Sequence, residues 1–356
     1  MNILILTGKF GLGHFSAATS IMEKIKAEDA KTNVAIVDIF DYGMPKTAPL
    51  IYKSFENLVN YGSVIYNSLY KMTENNSPSF TPLLMKLFMP KIDKLFQNFQ
   101  PNIIVSTLPF CSQLVSKYKE EFAVETPLLT AITDVSVHPE WVNSNTDCYL
   151  VASKSVKNGI VLKGVPEEKI FVTGIPVKEE FSPLPRLVKF RKNLLIMGGG
   201  LGLLPKNKEF YERLNRMENV KVTIITGKNF KLYKKLVGKY NNIDVLGFTG
   251  EVYKYMQKAD AILSKPGGVT LFETIASELP IITLNPFLQQ EIHNANFISE
   301  HNIGVVLPKN GYIDKIELVL NDDEKLSEMR ANMKAMKGEI DDEFFLKVLS
   351  KRKLAS

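Results

Sequence analysis

The sequence predicts an α/β protein built from two Rossmann-like domains. Short apolar strands alternate with helical stretches along most of the 356 residues. That pattern breaks at a proline-rich stretch and then restarts, and each half opens with an apolar strand running into a glycine turn. In the first half Ile3–Leu6, Val34–Asp38, Ile103–Ser106, Leu128–Ile132 and Tyr149–Val151 read as strands, with helices between most of them, as in a parallel sheet covered on both faces. Pro176, Pro183 and Pro185 mark Pro176–Arg191 as linker sequence. Beyond it Asn193–Met197 runs into Gly198, Gly199 and Gly200, and Val220–Thr226, Ile243–Leu246, Ala261–Ser264, Ile281–Leu284 and Gly304–Leu307 continue the series. The expected organisation is an N-terminal domain over 1–178, a linker over 179–190, a C-terminal domain over 191–338, and a C-terminal helix over 339–356 packing back on the N-terminal domain. Such sheets bind ligands at the carboxyl ends of their strands, so the domains are expected to face a cleft.

Composition narrows the class. The apolar fraction of 45% is that of an ordinary globular protein. No apolar run is long enough to span a bilayer, and the chain opens directly into a strand without a leader pattern, which predicts a cytoplasmic protein. Cys111 and Cys148 fit no metal or redox spacing and read as buried reduced thiols. A net charge of +6 favours anionic partners: nucleotide sugars, nucleic acid or acidic lipid.

One block departs from the alternation. Pro45–Phe99 is helical, aromatic and basic, with Phe80, Leu83, Leu84, Leu87 and Phe88 at helical spacing and Lys86, Lys91 and Lys94 nearby. Two readings stand: helices covering the sheet, or a surface that dips into the membrane interface or holds a greasy acceptor.

The densest chemistry lies in "DAILSKPGGVTLFETIASELPIITLNPFLQQEIHNANFI". The strand Ala261–Ser264 is turned by Pro266, Gly267 and Gly268 into a helix over Val269–Leu279. Leu271, Phe272, Ile275, Ala276 and Leu279 can face the sheet, while Thr270, Glu273 and Ser277 share another face. The helix start offers free N–H groups and a positive dipole end, and the two glycines let a diphosphate approach that backbone. Glu273, one turn in, is suited to the two hydroxyls of a ribose. Gln289 and Gln290 open the next helix, and their amides, each donor and acceptor, suit the neutral hydroxyls of a sugar. Asn294, one turn further, fits a contact or a structural role. Gly199 and Gly200 stand at the matching place after the first strand of this domain and are expected to let donor phosphates pack close.

This block, with "SKPGGVTLFETIASELPIITLNPFLQQEIHNA" at its heart, resembles the donor-binding region of the glycosyltransferases that include processive diacylglycerol glucosyltransferases, plant monogalactosyldiacylglycerol synthases and the peptidoglycan transferase MurG. "TGKFGLGHFSAA" resembles their N-terminal glycine–histidine turn. "TDVSVHPEWVNSNTDCYLVASKSVKNGIVLKGVPEEKIFVTGIPV" is similar to the diacylglycerol branch. The resemblance implies the fold called GT-B, α/β with two Rossmann-like domains facing a cleft, the nucleotide sugar on the C-terminal domain and the acceptor on the N-terminal one. It implies transfer of a hexose from a UDP-sugar, a co-substrate rather than a cofactor, to a membrane lipid, foremost diacylglycerol, in glycolipid synthesis. It also implies a peripheral place on the inner face of the cell membrane, contact with its anionic surface, and no nucleic-acid partner. Two features depart from the family pattern. Many lipid-branch members have Gly-Gln-Glu where this chain has Gln289, Gln290 and Glu291, which leaves the donor hexose open, and Lys9, Phe10 and Leu12 make the opening turn less glycine-rich than MurG's.

Such a transfer needs charge stabilisation for the leaving diphosphate and a base for the attacking hydroxyl. The chain has no Asp-x-Asp metal motif, so the expected site holds no metal and a helix start takes the diphosphate. His14, presented by the turn through Gly11 and Gly13 at the end of the first strand, is the expected base, with both glycines close to the acceptor. Asp134, His138 and Trp141 follow the strand Leu128–Ile132. Asp134 is placed to orient a histidine, His138 is the second choice of base, and Trp141 is suited to stacking on a sugar or lying at a lipid interface.

Other classes fit less well. Asp38 ends the second strand, where a dinucleotide-binding enzyme keeps a ribose-binding acid. The glycines, however, run Gly-x-x-Gly-x-Gly, and His14 would crowd a pyrophosphate. A nucleotide-sugar epimerase of the same fold would leave the acceptor-like Pro45–Phe99 without a use. A transferase of N-acetylglucosamine to a polyprenyl-linked acceptor stays open. A nucleic-acid-binding module lacks any recognisable pattern.

Overall fold

In a computed structural model the protein is described over residues 1–61, 67–68, 82–185, 190–286, 288–341, 343–344 and 347–348. Phe80 and the side chain of Leu83 lie outside the described parts. The residues form two units, one comprising Met1–Lys178 together with the chain after Gly338, the other Glu179–Gly338.

The first unit runs β1 (Asn2–Thr7), α1 (Gly13–Glu28), β2 (Asn33–Asp38), α2 (Ile39–Gly43), α3 (Ala48–Tyr61), α4 (Pro82–Phe99), β3 (Ile103–Ser106), α5 (Pro109–Phe122), β4 (Leu128–Ala131), β5 (Cys148–Val151), α6 (Lys154–Leu162) and β6 (Ile170–Val172). Its six strands are parallel in the order β2-β1-β3-β4-β5-β6. Both faces are covered, and the alternation of β1 shows how. Leu4 and Leu6 enter a core with Phe88, Ile92, Ile104, Phe110 and Leu114, while Ile3 and Ile5 enter another with Ala18, Ile21, Val105, Leu129 and Phe344. The strand β6 was not expected from the sequence. Three residues beyond a helical turn give no countable period, although Ile170 and Val172 pair with Tyr149 and Val151.

The block over Pro45–Phe99 resolves toward the sheet where it is described. Phe88 is 0% exposed and Ile92, Leu95 and Phe96 are buried with it. Leu84 packs half-buried on the same core. The expected apolar stripe is therefore the inner face of α4, and Phe88 is no membrane contact. Its ring meets Phe40 and Phe110 edge-on at 5.5 and 5.3 Å. Only Leu87 of the described stripe turns outward, 51% exposed, beside exposed Lys86, Lys91 and Lys94.

The second unit runs β7 (Lys192–Met197), α7 (Lys208–Asn215), β8 (Val220–Ile225), α8 (Phe230–Leu236), β9 (Ile243–Leu246), α9 (Val252–Met256), β10 (Ala261–Ser264), α10 (Gly268–Ala276), β11 (Ile281–Thr283), α11 (Gln289–Glu300), β12 (Gly304–Val306), α12 (Tyr312–Leu320) and α13 (Asp323–Lys337). Its parallel order is β12-β11-β10-β7-β8-β9. Part of the stretch read as linker packs on this unit: the Gln257 Nε2 amide donates to the Glu180 carbonyl at 2.9 Å, and Phe181 meets Tyr253 at 6.2 Å.

Strand order locates the sites. In the first sheet the direction of winding reverses between β1 and β3, in the second between β7 and β10. A crevice opens at such a point because the connections on either side leave in opposite directions. The loops there are Gly8–Leu12 and Thr107–Leu108 in the first unit, and Gly198–Gly202 and Lys265–Gly267 in the second.

Candidate functional site

The first unit presents His14. Phe10 anchors the turn after β1, its ring edge-on to Phe40, Tyr52 and Phe55 at 5.1, 5.0 and 5.1 Å. Gly11 has φ +72°, which an L side chain rarely adopts, and this reversal lets α1 begin at Gly13. His14 is then the second helical residue. The Thr107 hydroxyl, after β3, lies 3.0 Å from the His14 carbonyl oxygen and 2.8 Å from the Thr7 hydroxyl. Thr133 Oγ1, after β4, lies 2.9 Å from His14 Nδ1. Burial lowers the imidazole's affinity for a proton below the ordinary histidine value, and the nearby Asp134 charge opposes that only in part. The ring is thus neutral near pH 7, the form a base requires.

The other expected members of this cluster have different work. Trp141 is 0% exposed, and its indole N–H donates to Asp134 Oδ2 at 3.0 Å. It braces the loop from inside and offers no face to a sugar or a lipid. Asp134 is accordingly held by Trp141, while the ring of His14 is held by Thr133. His138 is buried and caps the short helical turn Pro139–Trp141, its Nδ1 3.4 Å from the Glu140 amide nitrogen and 3.5 Å from Glu140 Oε2. Its Nδ1 is thereby engaged with the turn. Glu140 has its carboxyl pushed up to about 7, by burial first and then by the Asp134 charge. Asp38 is also spent: its Oδ1 accepts from the Phe40 and Asp41 amides at 3.0 and 3.1 Å and from the Tyr52 hydroxyl at 2.5 Å. Lys9 pairs with Asp41 and lies 3.7 Å from Asp38 Oδ2. Asp38 is therefore the cap of α2 rather than a ribose acid. Thr107, Thr133 and Glu140 escaped the sequence reading. Thr133 directly precedes Asp134 at a strand end, the one signal that pointed to it.

The second unit brings the expected donor residues to its own crevice. After β7 the loop closes on itself, with the Leu203 and Gly202 amides donating to the Gly198 and Gly199 carbonyls at 2.9 Å each, and Lys228 N donating to Gly200 O at 2.9 Å. A Cβ on Gly202 would stand 1.9 Å from the Thr226 carbonyl oxygen, so the loop lies directly against the neighbouring connection. Across the crevice α10 starts at Gly268. Its capping residue Gly267 supplies no side-chain hydrogen bond, and the first turn carries no acid. The leading N–H groups are left open. Thr270 and Glu273 are half-buried on that turn. The Glu273 side chain has no hydrogen-bond or ion-pair partner among the described residues, and burial pushes its carboxyl up to about 8. One turn further, Ser277 Oγ is buried without a partner. Asn294 is structural: its Nδ2 donates to the Pro266 carbonyl at 2.7 Å and ties α11 to the turn before α10. Lys265 Nζ and Glu291 Oε1, 2.5 Å apart, make a second tie. Gln289 and Gln290 open α11 half-buried. Among the described residues no group of three His, Cys, Asp or Glu is placed to ligate a metal, and no helix is long and apolar enough to cross a membrane.

Two parallel sheets, each with its glycine loops at the winding reversal, one presenting a histidine and the other an open helix start with a lone acid, make up the GT-B fold of glycosyltransferases. Residues 14–177 match the family model of monogalactosyldiacylglycerol (MGDG) synthase, and residues 193–350 that of the glycosyltransferase family 28 C-terminal domain. The processive diacylglycerol beta-glucosyltransferase of Bacillus licheniformis is 29% identical over 94% of this chain and 91% of its own, and that of Bacillus pumilus 28% over 94% and 90%. The crystal structure of Acinetobacter baumannii MurG shares the fold with a TM-score of 0.66, 12% identity and 98% and 99% coverage of the two chains. The spinosyn rhamnosyltransferase SpnG in complex with thymidine diphosphate does so with a TM-score of 0.63, 11% identity and 98% and 100% coverage. The chain is a glycosyltransferase whose two halves match the MGDG synthase and the glycosyltransferase family 28 C-terminal models.

Proposed function

We propose that the protein transfers a hexose from a UDP-sugar to diacylglycerol with inversion at the anomeric carbon and without a divalent metal. The observation that carries this reading is the half-buried Glu273 carboxyl, which has no partner among the described residues and lies one turn into a helix whose leading N–H groups are open. An unpaired acid in such a place is costly unless a ligand supplies donors, and ribose hydroxyls above a diphosphate supply them. In this reading Gly267, Gly268 and Thr270 take the diphosphate, Gly199 and Gly200 admit it, and Gln289 and Gln290 hold the hexose. The helix start stabilises charge on the departing UDP. His14, neutral and oriented, takes the proton of the attacking hydroxyl near Gly11 and Gly13. The named activity of the Bacillus relatives makes diacylglycerol the acceptor and glucose the donor hexose to test first.

The enzyme works peripherally on the anionic inner face of the membrane. Support comes from the net charge of +6 and the exposed edge of α4 with Leu87, Lys86, Lys91 and Lys94.

The test is purified protein with diacylglycerol liposomes and each UDP-sugar in turn, read by lipid mass spectrometry, in chelator and with magnesium. A β-linked glycolipid formed equally well in chelator is expected. Donor rearranged without acceptor, or product formed only with metal, would replace this reading.

A further inference from the structure

The Nδ1 of His14 lies 2.9 Å from Thr133 Oγ1, and the Thr107 backbone is a second, weaker hydrogen-bonding influence on the ring. Thr133 is buried just beyond β4, whose own place is fixed by pairing with β3 and β5. The backbone of His14 is steadied separately through Thr107. Asp134, the charged group that acts on the ring, receives the Trp141 indole N–H, and Glu140 and His138 occupy the turn behind it.

A neutral imidazole has one N–H, and the nitrogen that carries it cannot accept a proton. Resting on the reading of His14 as the base, we propose that Thr133 is the positioning residue of the reaction: its Oγ1 accepts the Nδ1–H of His14 and so fixes the tautomer whose lone pair is on Nε2. As the acceptor oxygen bonds to the anomeric carbon and the bond from that carbon to UDP breaks, the hydroxyl proton passes to Nε2. The imidazolium formed keeps Nδ1–H on Thr133, and the Asp134 charge offsets its own. A neutral hydroxyl in this role directs the ring without raising its basicity as a carboxylate would, which agrees with the lowered proton affinity.

The decisive measurement is nitrogen-15 NMR of histidine-labelled, full-length enzyme near neutral pH. The chain has four histidines, so loss of one spin system in His14→Ala assigns the resonance. Wild type is expected to show a protonated Nδ1 and a bare Nε2. Thr133→Val is expected to shift the ring toward the Nε2–H form and to lower kcat about tenfold to a hundredfold, part of what a general base supplies, with KM for the UDP-sugar unchanged. Thr133→Ser should restore both. A protonated Nε2 in the wild-type spectrum, which needs no variant to fold, overturns the assignment, as does Thr133→Val with wild-type kcat. Wild-type turnover in His14→Ala would instead remove the base reading on which it rests.

Discussion

Glu273 and His14 depart from their ordinary proton affinities for the same reason, burial, and in opposite directions. The acid is raised to about 8. The folded chain therefore holds that proton more tightly than the unfolded chain, so the contribution to stability is full below pH 4.5 and lost as pH rises through about 8. Thermal melts of Glu273→Gln without ligand are expected to flatten over that interval and to exceed wild type at its alkaline end. In calorimetry above pH 8, where the carboxyl is ionised, Glu273→Ala should also weaken UDP binding by about 1.5–3 kcal/mol, the range for a hydrogen bond to a charged group. The His14 imidazole is lowered below 6.5. Its stabilising effect is present above that value and fades as pH falls through the lower folded-state pKa. Turnover should fall along the same limb, and His14→Ala should lose about 10²–10⁴ in kcat with UDP affinity unchanged. Both residues were legible because glycine turns at strand ends announce them. Their partners were not: nothing in the spacing of Thr107 or Thr133 tells that a chain 93 or 119 residues away returns to the same atom group.

At the scale of elements, strands were read well, since unbroken apolar runs between helical stretches have few alternatives in a doubly covered sheet. Faces were read less well. Phe88 and Leu84 share a stripe that periodicity alone cannot assign to sheet or to membrane, and only the packing of Phe40 and Phe110 against Phe88 decides it. Trp141 failed likewise, because a lone tryptophan in a loop has no period to reveal that it points inward. The correction is measurable. Phe88→Ser is expected to destabilise the first unit by about 3–5 kcal/mol, as large losses from a packed core do. Leu87→Ser should leave the denaturation midpoint within about 0.5 kcal/mol of wild type. If α4 touches the bilayer, Leu87→Ser with Lys91→Glu should weaken sedimentation with phosphatidylglycerol vesicles while UDP binding stays intact.

Across the whole molecule the chain writes one plan twice, a strand into glycines at the reversal of winding, and gives each copy a different chemical task. Both sheets could be foreseen from that repetition. The chain was also expected to come back to the first unit at 339–356, but the residues that make that contact could not be foreseen. Beyond Gly338 it rejoins the first unit: the Asp341 amide donates to the Val172 carbonyl at 2.8 Å, Glu339 pairs with Lys154 at 3.2 Å, and Phe344, 4% exposed, lies on Phe171 at 4.7 Å. Ending the chain after Gly338 is expected to speed hydrogen exchange at β1, β5 and β6 and to leave β7, β8 and β10 protected as before. The same closure sets an order for manufacture. On the ribosome the second unit is a continuous stretch that can settle as soon as it emerges. The first, begun before it, waits without the Phe344 ring that packs on one side of its sheet until the stretch after Gly338 has been made. The histidine-bearing unit is begun before the other and completed after it.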